Sequence, residues 1–186
     1  MKMGAGREAD RWKLELVGNP DVSFYIYSAH LKASPGGDNE QVRLAGVEII
    51  RADADSLPDG THVIYAGDMN FYHSGEPGYL EFLTDGPGQA VDPLGSGSWE
   101  GEPHAIKHSQ SPRNNGSNLC GLAPGGMDDR FDFQLVTDEW LDGDGLDLIP
   151  GTYRSLGNDG QHFDIAKLDD GLSLPSIEGP VDLTLN

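Results

Sequence analysis

The fold of this chain is constrained most by one short apolar run. An acid and an amide follow this run at once. The run Val63–Ala66 is bounded by Asp59-Gly60 before it and by Gly67 after it. Continuous apolarity over this length predicts a buried strand that ends at Gly67. Asp68 and Asn70 follow, and oxygens at the carboxyl end of a strand can bind a hard cation and a phosphate. The alternative is an ordinary turn, because Gly, Asp and Asn are common turn residues.

Length and charge limit the class of protein. The 186 residues suit a single domain, 1–186, that is long enough to bury a core. The chain has 31 acidic residues against 12 Lys and Arg, which gives a formal net charge of −19. This charge argues against a broad basic groove for nucleic acid, but it does not exclude a nuclease that binds phosphate through a metal.

Segments that would direct the chain to a membrane are not visible. No apolar run is as long as a membrane span requires, so we expect no transmembrane helix. The N-terminus lacks an apolar leader region, so we expect no signal peptide. The compartment stays unknown, and secretion is not excluded, because the single cysteine, Cys120, does not decide it.

Two strands and a helix are predicted before the apolar run. Alternation in Asp10–Val17 indicates a half-buried strand, and Val22–Ala29 indicates a second, joined to the first through a turn at Gly18–Asp21. A helix is predicted from Asp38 onward. Its core face is predicted from helical spacing: Val42, Ala45, Ile49 and Ala52. Strand, helix and strand in this order predict a βαβ unit and therefore an α/β fold.

Three polar side chains are candidates for chemistry. His30 ends the second predicted strand and Asp68 follows the third, so parallel strands would bring both to one edge of the sheet. Asp132 alternates with Phe131 and Phe133, so it faces away from the aromatics and needs a histidine, a metal or an arginine as partner. Taken singly, the three also suit a backbone-bonded histidine, a turn acid and a salt-bridged strand acid.

Three segments, in chain order, carry a resemblance to a known superfamily. They are His30-Leu31-Lys32, Gly67-Asp68-Met69-Asn70 and Asp129–Leu135. This set resembles the metal-dependent endonuclease/exonuclease/phosphatase superfamily, which includes pancreatic-type deoxyribonucleases, abasic-site endonucleases, sphingomyelinases and inositol polyphosphate phosphatases. Two further segments, His108–Arg113 and Gly157–His162, are similar to a bacterial, often secreted, branch of it.

The resemblance implies a fold, a cofactor and roles for four residues. The fold would be a four-layer α/β sandwich, with two mixed β-sheets packed face to face and helices outside. The activity would be hydrolysis of a nucleic acid or another phosphodiester by in-line attack of an activated water, with Mg²⁺, or else Mn²⁺ or Ca²⁺, as cofactor. His30 would bond to the scissile phosphate, and Asp68 would orient or deprotonate the water. Asp68 and Asn70 would lie at the metal, and Asp132 would orient a second catalytic histidine.

The sequence departs from the superfamily pattern at both ends. The superfamily has a metal-binding Glu on an early strand, and no matching Gln-Glu context precedes His30. It also ends in Ser-Asp-His, which does not occur here. We therefore expect a partial domain without its N-terminal strands, whose exposed sheet would favour self-association or the missing half. The alternative function is a non-catalytic binding or interaction domain that retains the scaffold.

Overall fold

The computed structural model describes residues 1–2, 7–110, 126–156, 158–161 and 163. Residues 111–113, Gly157 and His162, which belong to the two additional segments of the resemblance, lie outside the described residues. The chain divides into two compact units. The first unit comprises Met1–Gly97 with Phe131–Tyr153, and the second comprises Ser98–Arg130 with Arg154–Asn186. The single domain predicted for residues 1–186 stays a prediction.

A mixed five-stranded sheet organises the first unit, which confirms the predicted α/β class. Its strands are β1 (Ala9–Leu16), β2 (Asn19–His30), β3 (Val63–Asp68), β4 (Ala90–Val91) and β5 (Asp132–Thr137). They lie in the order β1-β2-β3-β5-β4. β2 and β3 are parallel, as the βαβ prediction requires, whereas β5 runs antiparallel to both β3 and β4.

The hairpin of β1 and β2 was predicted, but its turn is shorter than expected. β2 begins at Asn19, inside the predicted turn, because Leu16 pairs with Asn19 across a bulge. Only Val17 and Gly18 are left to reverse the chain, and Gly18 does so with a φ of 88° that favours glycine.

Two helices cover one face of the sheet. They are α1 (Gly37–Ala54) and α2 (Pro77–Leu83), and short 3₁₀ turns occur at Glu102–Lys107 and Asp138–Trp140. The Tyr27 hydroxyl donates to Asp53 of α1 over 2.6 Å, and the Tyr65 ring lies 4.9 Å from that of Phe82 in α2. The helices therefore lie on the face from which Tyr27 and Tyr65 project.

The buried face of α1 is not the one predicted. Ile49 is 38% exposed, whereas Ile50 and Val47 are fully buried. The helix is rotated by about one residue because Arg43 and Arg51 point inward, where they bond to carbonyl and carboxylate oxygens. A hydrophobicity pattern assigns arginine to solvent, so it could not reveal this rotation.

The sequence predicted that β3 ends at Gly67, and this prediction is wrong by one residue, because the strand continues to Asp68. Gly67 has a φ of 136°, and a Cβ there would lie 1.9 Å from the carbonyl oxygen of Ala29. The glycine is needed for this close approach of β3 to β2, and not as a terminator. Strand geometry is thereby kept up to the first acid of the motif.

The sheet face opposite the helices is only partly covered. Trp12 and Leu14, which project from it in β1, are 60% and 39% exposed. The described residues form one sheet with helices on one side, so the second sheet of the predicted four-layer sandwich stays a prediction. Over the same described ranges, none of the helices has the length and apolarity needed to cross a membrane.

Candidate functional site

His30, Asp68 and Asp132 lie in one row across three neighbouring strands. His30 pairs with Asp68 between the parallel strands β2 and β3, and Asp68 pairs with Asp132 between the antiparallel strands β3 and β5. Paired residues on neighbouring strands project from the same face of a sheet. The three side chains therefore share the face opposite α1 and α2, at the edge of the sheet where the sequence predicted His30 and Asp68.

The imidazole of His30 and the carboxylate of Asp68 are within ion-pair distance. Nε2 of His30 lies 3.4 Å from Oδ2 of Asp68, and the two side chains are 57% and 37% exposed. A pair this exposed contributes little to stability. Its exposure instead leaves both groups accessible to a substrate.

The pKa of the Asp68 carboxyl is raised above its ordinary value. Partial burial is the largest cause, and the negative charge of Asp132 raises it further, whereas the nearby His30 lowers it. The backbone N–H of Asn70, which donates to Oδ1 of Asp68 over 3.1 Å, also lowers it. Without a bound cation, a carboxylate whose pKa is raised is a better proton acceptor than one in open solvent, and a cation on the same carboxylate would lower that pKa.

Asn70 holds the ends of β2 and β3 together. It is buried, with 6% of its surface exposed, and has a φ of 52°. Its side-chain N–H₂ donates to the carbonyl oxygen of Leu31 over 3.3 Å, directly after His30. Met69 between the two motif residues donates its N–H to the carbonyl oxygen of Phe131, next to Asp132. The segment Gly67-Asp68-Met69-Asn70 thus connects the three strand ends that carry His30, Asp68 and Asp132.

The donor set of the row fits a divalent cation. Asp68 and Asp132 of the row offer carboxylate oxygens, and Asn70, which lies outside the row two residues after Asp68, offers an amide oxygen. Such hard oxygen ligands are those that Mg²⁺, Mn²⁺ and Ca²⁺ prefer. The mutual repulsion of Asp68 and Asp132 raises the pKa of Asp68, and a cation would offset that repulsion.

A second group with possible metal ligands lies apart from the row. One ligand atom from each of Glu40, His73 and Glu76 lies within 4.8 Å of the others. Both carboxylate oxygens of Glu76, however, already accept hydrogen bonds from Arg43, at 2.8 and 2.9 Å. The guanidinium supplies the positive charge there, so the row is the better candidate for a cation.

Arg7 is a site residue that the motifs did not indicate. Its Nη1 donates to the carbonyl oxygen of His30 over 3.3 Å, and its charge lowers the pKa of Asp68. It lies two residues before Ala9, which pairs with Ala29 at the end of β2. That hairpin register was the only sequence signal that could have located Arg7 near His30.

The described part of the second unit gives His108 a structural position. The ring is fully buried, and Nε2 lies 2.6 Å from the carbonyl oxygen of Trp99. The pKa of the Asp129 carboxyl is raised to about 6. Burial is the largest cause and the charge of Asp128 the next, whereas His108 lowers this pKa. These residues organise a polar interior within the second unit.

Comparison with known proteins gives fold likeness only. No protein-family model matches the sequence, and no curated protein matches it either. A β-hairpin deletion mutant of the beta toxin from Staphylococcus aureus is similar over 81% of this chain and 50% of that chain, with 14% identity and a TM-score of 0.49. Sphingomyelinase C from Streptomyces griseocarneus is similar over 72% and 43%, with 17% identity and a TM-score of 0.47.

A third similar structure is that of an endonuclease/exonuclease/phosphatase family protein from Bacteroides thetaiotaomicron. The similarity covers 70% of this chain and 41% of that chain, with 12% identity and a TM-score of 0.44. It bears the name of the superfamily that the motifs resemble. The chain spans about half the length of the solved structures that it matches. At these identities and TM-scores, the case for an activity rests on the residues of the row.

Proposed function

We propose that this chain is a divalent-metal-dependent hydrolase of phosphate esters that acts on a phosphodiester, such as a nucleic acid. The observation that carries the proposal is the row of His30, Asp68 and Asp132 on an open sheet edge. The row combines a proton acceptor, a group able to contact phosphate and hard ligands for a cation, which are the parts that metal-assisted phosphoester hydrolysis requires.

Each residue has a role in the proposed reaction. Asp68 orients a water and accepts its proton as the water oxygen attacks phosphorus and the ester P–O bond opposite it breaks. The oxygen that leaves carries the bonding electron pair and takes up a proton from solvent. His30 bonds to an oxygen of the scissile phosphate, and the exposure of its imidazole supports this role. Asp68 and Asn70 would hold the divalent cation, and Asp132 would add negative charge beside them. When bound, that cation would offset the negative charge that develops on the phosphate oxygens.

Net charge bears on how a nucleic acid would bind. With a formal net charge of −19, the chain as a whole repels a polyanion. Binding would then depend on contacts at the site and on Arg7 beside it. We expect a salt dependence weaker than that of proteins which neutralise many phosphates with basic residues.

The second candidate is a binding domain without turnover. In that case Asp68 and Asn70 would still bind a cation, but no ester would be cleaved.

Hydrolysis assays separate the two candidates. The substrates are bis(p-nitrophenyl) phosphate and supercoiled DNA, with Mg²⁺, Mn²⁺, Ca²⁺ or EDTA. We expect metal-dependent cleavage that falls at least about 100-fold in Asp68→Asn. Asp21→Asn, an exposed acid at the other end of β2, is the matched control and should keep the wild-type rate. Equal rates for wild type and Asp68→Asn would refute catalysis, and Mn²⁺ binding that requires Asp68 without turnover would support the binding domain.

A further inference from the structure

A fully buried arginine connects α1 to the loops that follow the candidate site. Arg43 has no exposed surface, and its Nη1 donates to the carbonyl oxygens of Lys32 and Ser34, at 2.8 and 3.0 Å. Lys32 and Ser34 lie in the loop directly after His30. One guanidinium group therefore fixes the chain that leaves the end of β2.

The same arginine is paired with a buried glutamate at the start of α2. Nε and Nη2 of Arg43 donate to the two carboxylate oxygens of Glu76, at 2.8 and 2.9 Å, and Glu76 is also fully buried. Oε1 of Glu76 accepts a further bond, over 2.7 Å, from the backbone N–H of Tyr72. Tyr72 lies two residues after Asn70, so Glu76 fixes the chain that leaves β3.

Tyr72 closes the network between the two loops. Its hydroxyl accepts the N–H of Ser34 over 3.1 Å, and its ring lies 5.3 Å from the guanidinium of Arg43. The ring also lies 5.3 Å from that of Phe131, which precedes Asp132. The network therefore reaches the strand ends that carry His30, Asp68 and Asp132.

Stability alone does not account for this network. Removing two charges from water carries a large desolvation penalty, and apolar replacements for buried ion pairs are often as stable or more so. A bidentate arginine–carboxylate pair does, however, fix orientation in a way that apolar packing does not. What this pair orients is the pair of loops that follow His30 and Asn70.

We propose that Arg43 and Glu76 are positioning residues that hold the loops after His30 and Asn70 in register, so that the His30–Asp68–Asp132 row keeps its geometry. The kinetic part of this inference rests on the proposed hydrolase function. Neither residue contacts substrate in the proposal; each acts through the backbone of Lys32, Ser34 and Tyr72.

The chain offers a matched control on the same helix. Arg51 is also buried, at 3% exposure, and its Nη1 donates to the carbonyl oxygens of Glu81, Phe82 and Thr84. These carbonyls belong to the C-terminal end of α2 and not to the site loops. Arg51→Lys and Arg43→Lys each remove a buried guanidinium that bonds to backbone carbonyl oxygens, and only Arg43→Lys removes those bonds from the site loops. The two differ in their acids, because Arg51 pairs with the half-exposed Asp55 and Arg43 with the buried Glu76.

The experiment measures kinetics and backbone hydrogen exchange at a temperature where circular dichroism shows all variants folded. For Arg43→Lys we expect kcat to fall about 10- to 100-fold while KM changes less than about threefold, because small misplacement of reacting groups costs that much. The amides of Leu31 and Asn70, which bond to Asp68 and to neither of the two positioning residues, should exchange at least about tenfold faster. Arg51→Lys should leave both readouts unchanged. Glu76→Gln, which keeps an oxygen for the Tyr72 N–H, repeats the test if Arg43→Lys does not fold.

The two readouts keep this inference separate from the proposed function. If the wild type hydrolyses no ester, the proposed function fails, while the exchange of Leu31 and Asn70 still tests the positioning. Unchanged exchange at both amides in Arg43→Lys and in Glu76→Gln would overturn the inference. So would equal changes in the Arg43→Lys and Arg51→Lys proteins, because that result would indicate a general loss of stability.

Discussion

At the scale of single residues, Gly67 constrains the site most tightly. A side chain there would meet the Ala29 carbonyl oxygen at 1.9 Å, and the backbone has a positive φ. We predict that Gly67→Ala lowers the free energy of unfolding by about 3 kcal/mol or more, because both the overpacking and the backbone strain must be absorbed.

Chemical denaturation checks this prediction, with Gly97→Ala as the control. No heavy atom lies within 4 Å of a Cβ built at Gly97. The control should change stability by less than about 0.5 kcal/mol. A Gly67→Ala protein as stable as this control would contradict the close approach of β3 to β2.

Asp129 gives a pH-dependent prediction. Its folded pKa of about 6 lies above the value of about 3.9 expected in the unfolded chain, so the folded state binds more protons between those pH values. Stability from this group is therefore greatest at acidic pH and is lost as the pH rises through about 6. We predict that Asp129→Asn stabilises the protein by about 1–2 kcal/mol above about pH 7, with the gain vanishing near about pH 4.

Thermal unfolding across this pH range provides the measurement for Asp129→Asn. Asp85→Asn, which changes an exposed acid after α2, is the control and should show no such pH dependence. A constant difference in stability between the Asp129→Asn variant and the wild type at every pH would show that the carboxyl is not perturbed as described.

At the scale of elements, the rotation of α1 makes a prediction that opposes the sequence pattern. Ile50 is fully buried and Ile49 is 38% exposed. Ile50→Ala should therefore cost about 2–4 kcal/mol of unfolding free energy, and Ile49→Ala less than about 1 kcal/mol. Urea denaturation of the two variants measures both losses of unfolding free energy. A larger loss for Ile49→Ala than for Ile50→Ala would contradict the observed rotation and support the face predicted from the sequence.

The elements also show what local sequence could predict. The β1–β2 hairpin and the helix between two parallel strands follow from alternation, turn residues and helical spacing. The inward turn of Arg43 does not, because the oxygens that make it favourable come from Glu76 and from the loop after His30. A buried charge is stabilised by tertiary partners that a local pattern does not contain.

At the scale of the whole molecule, the site depends on a long-range strand pairing. His30 and Asp68 could be placed together from the βαβ order, because parallel strands share an edge. The position of Asp132 beside Asp68 requires β5 to insert next to β3, and the antiparallel register is set by residues 64 positions apart in the chain. Alternation predicted only that Asp132 faces away from its aromatic neighbours.

In the described part of the first unit, one face of the sheet carries exposed apolar side chains. Trp12 and Leu14 lie exposed on the face that also carries the row. A second sheet or a second copy of the chain would cover such a face, as the sequence led us to expect. That cover remains a prediction, whereas the row is complete within the described residues of the first unit.

The most direct test of the central claim is a double-mutant cycle on phosphodiester hydrolysis. We predict that His30→Ala, Asp68→Asn and Asp132→Asn each lower kcat/KM with Mg²⁺ by about 100-fold or more. The losses of kcat/KM that follow from removing members of one catalytic unit do not multiply. We therefore expect kcat/KM of the His30→Ala/Asp68→Asn double variant to lie within about threefold of that of the slower single variant. Wild-type kcat/KM in the single variants, or losses that multiply in the double variant, would contradict a single site formed by the row.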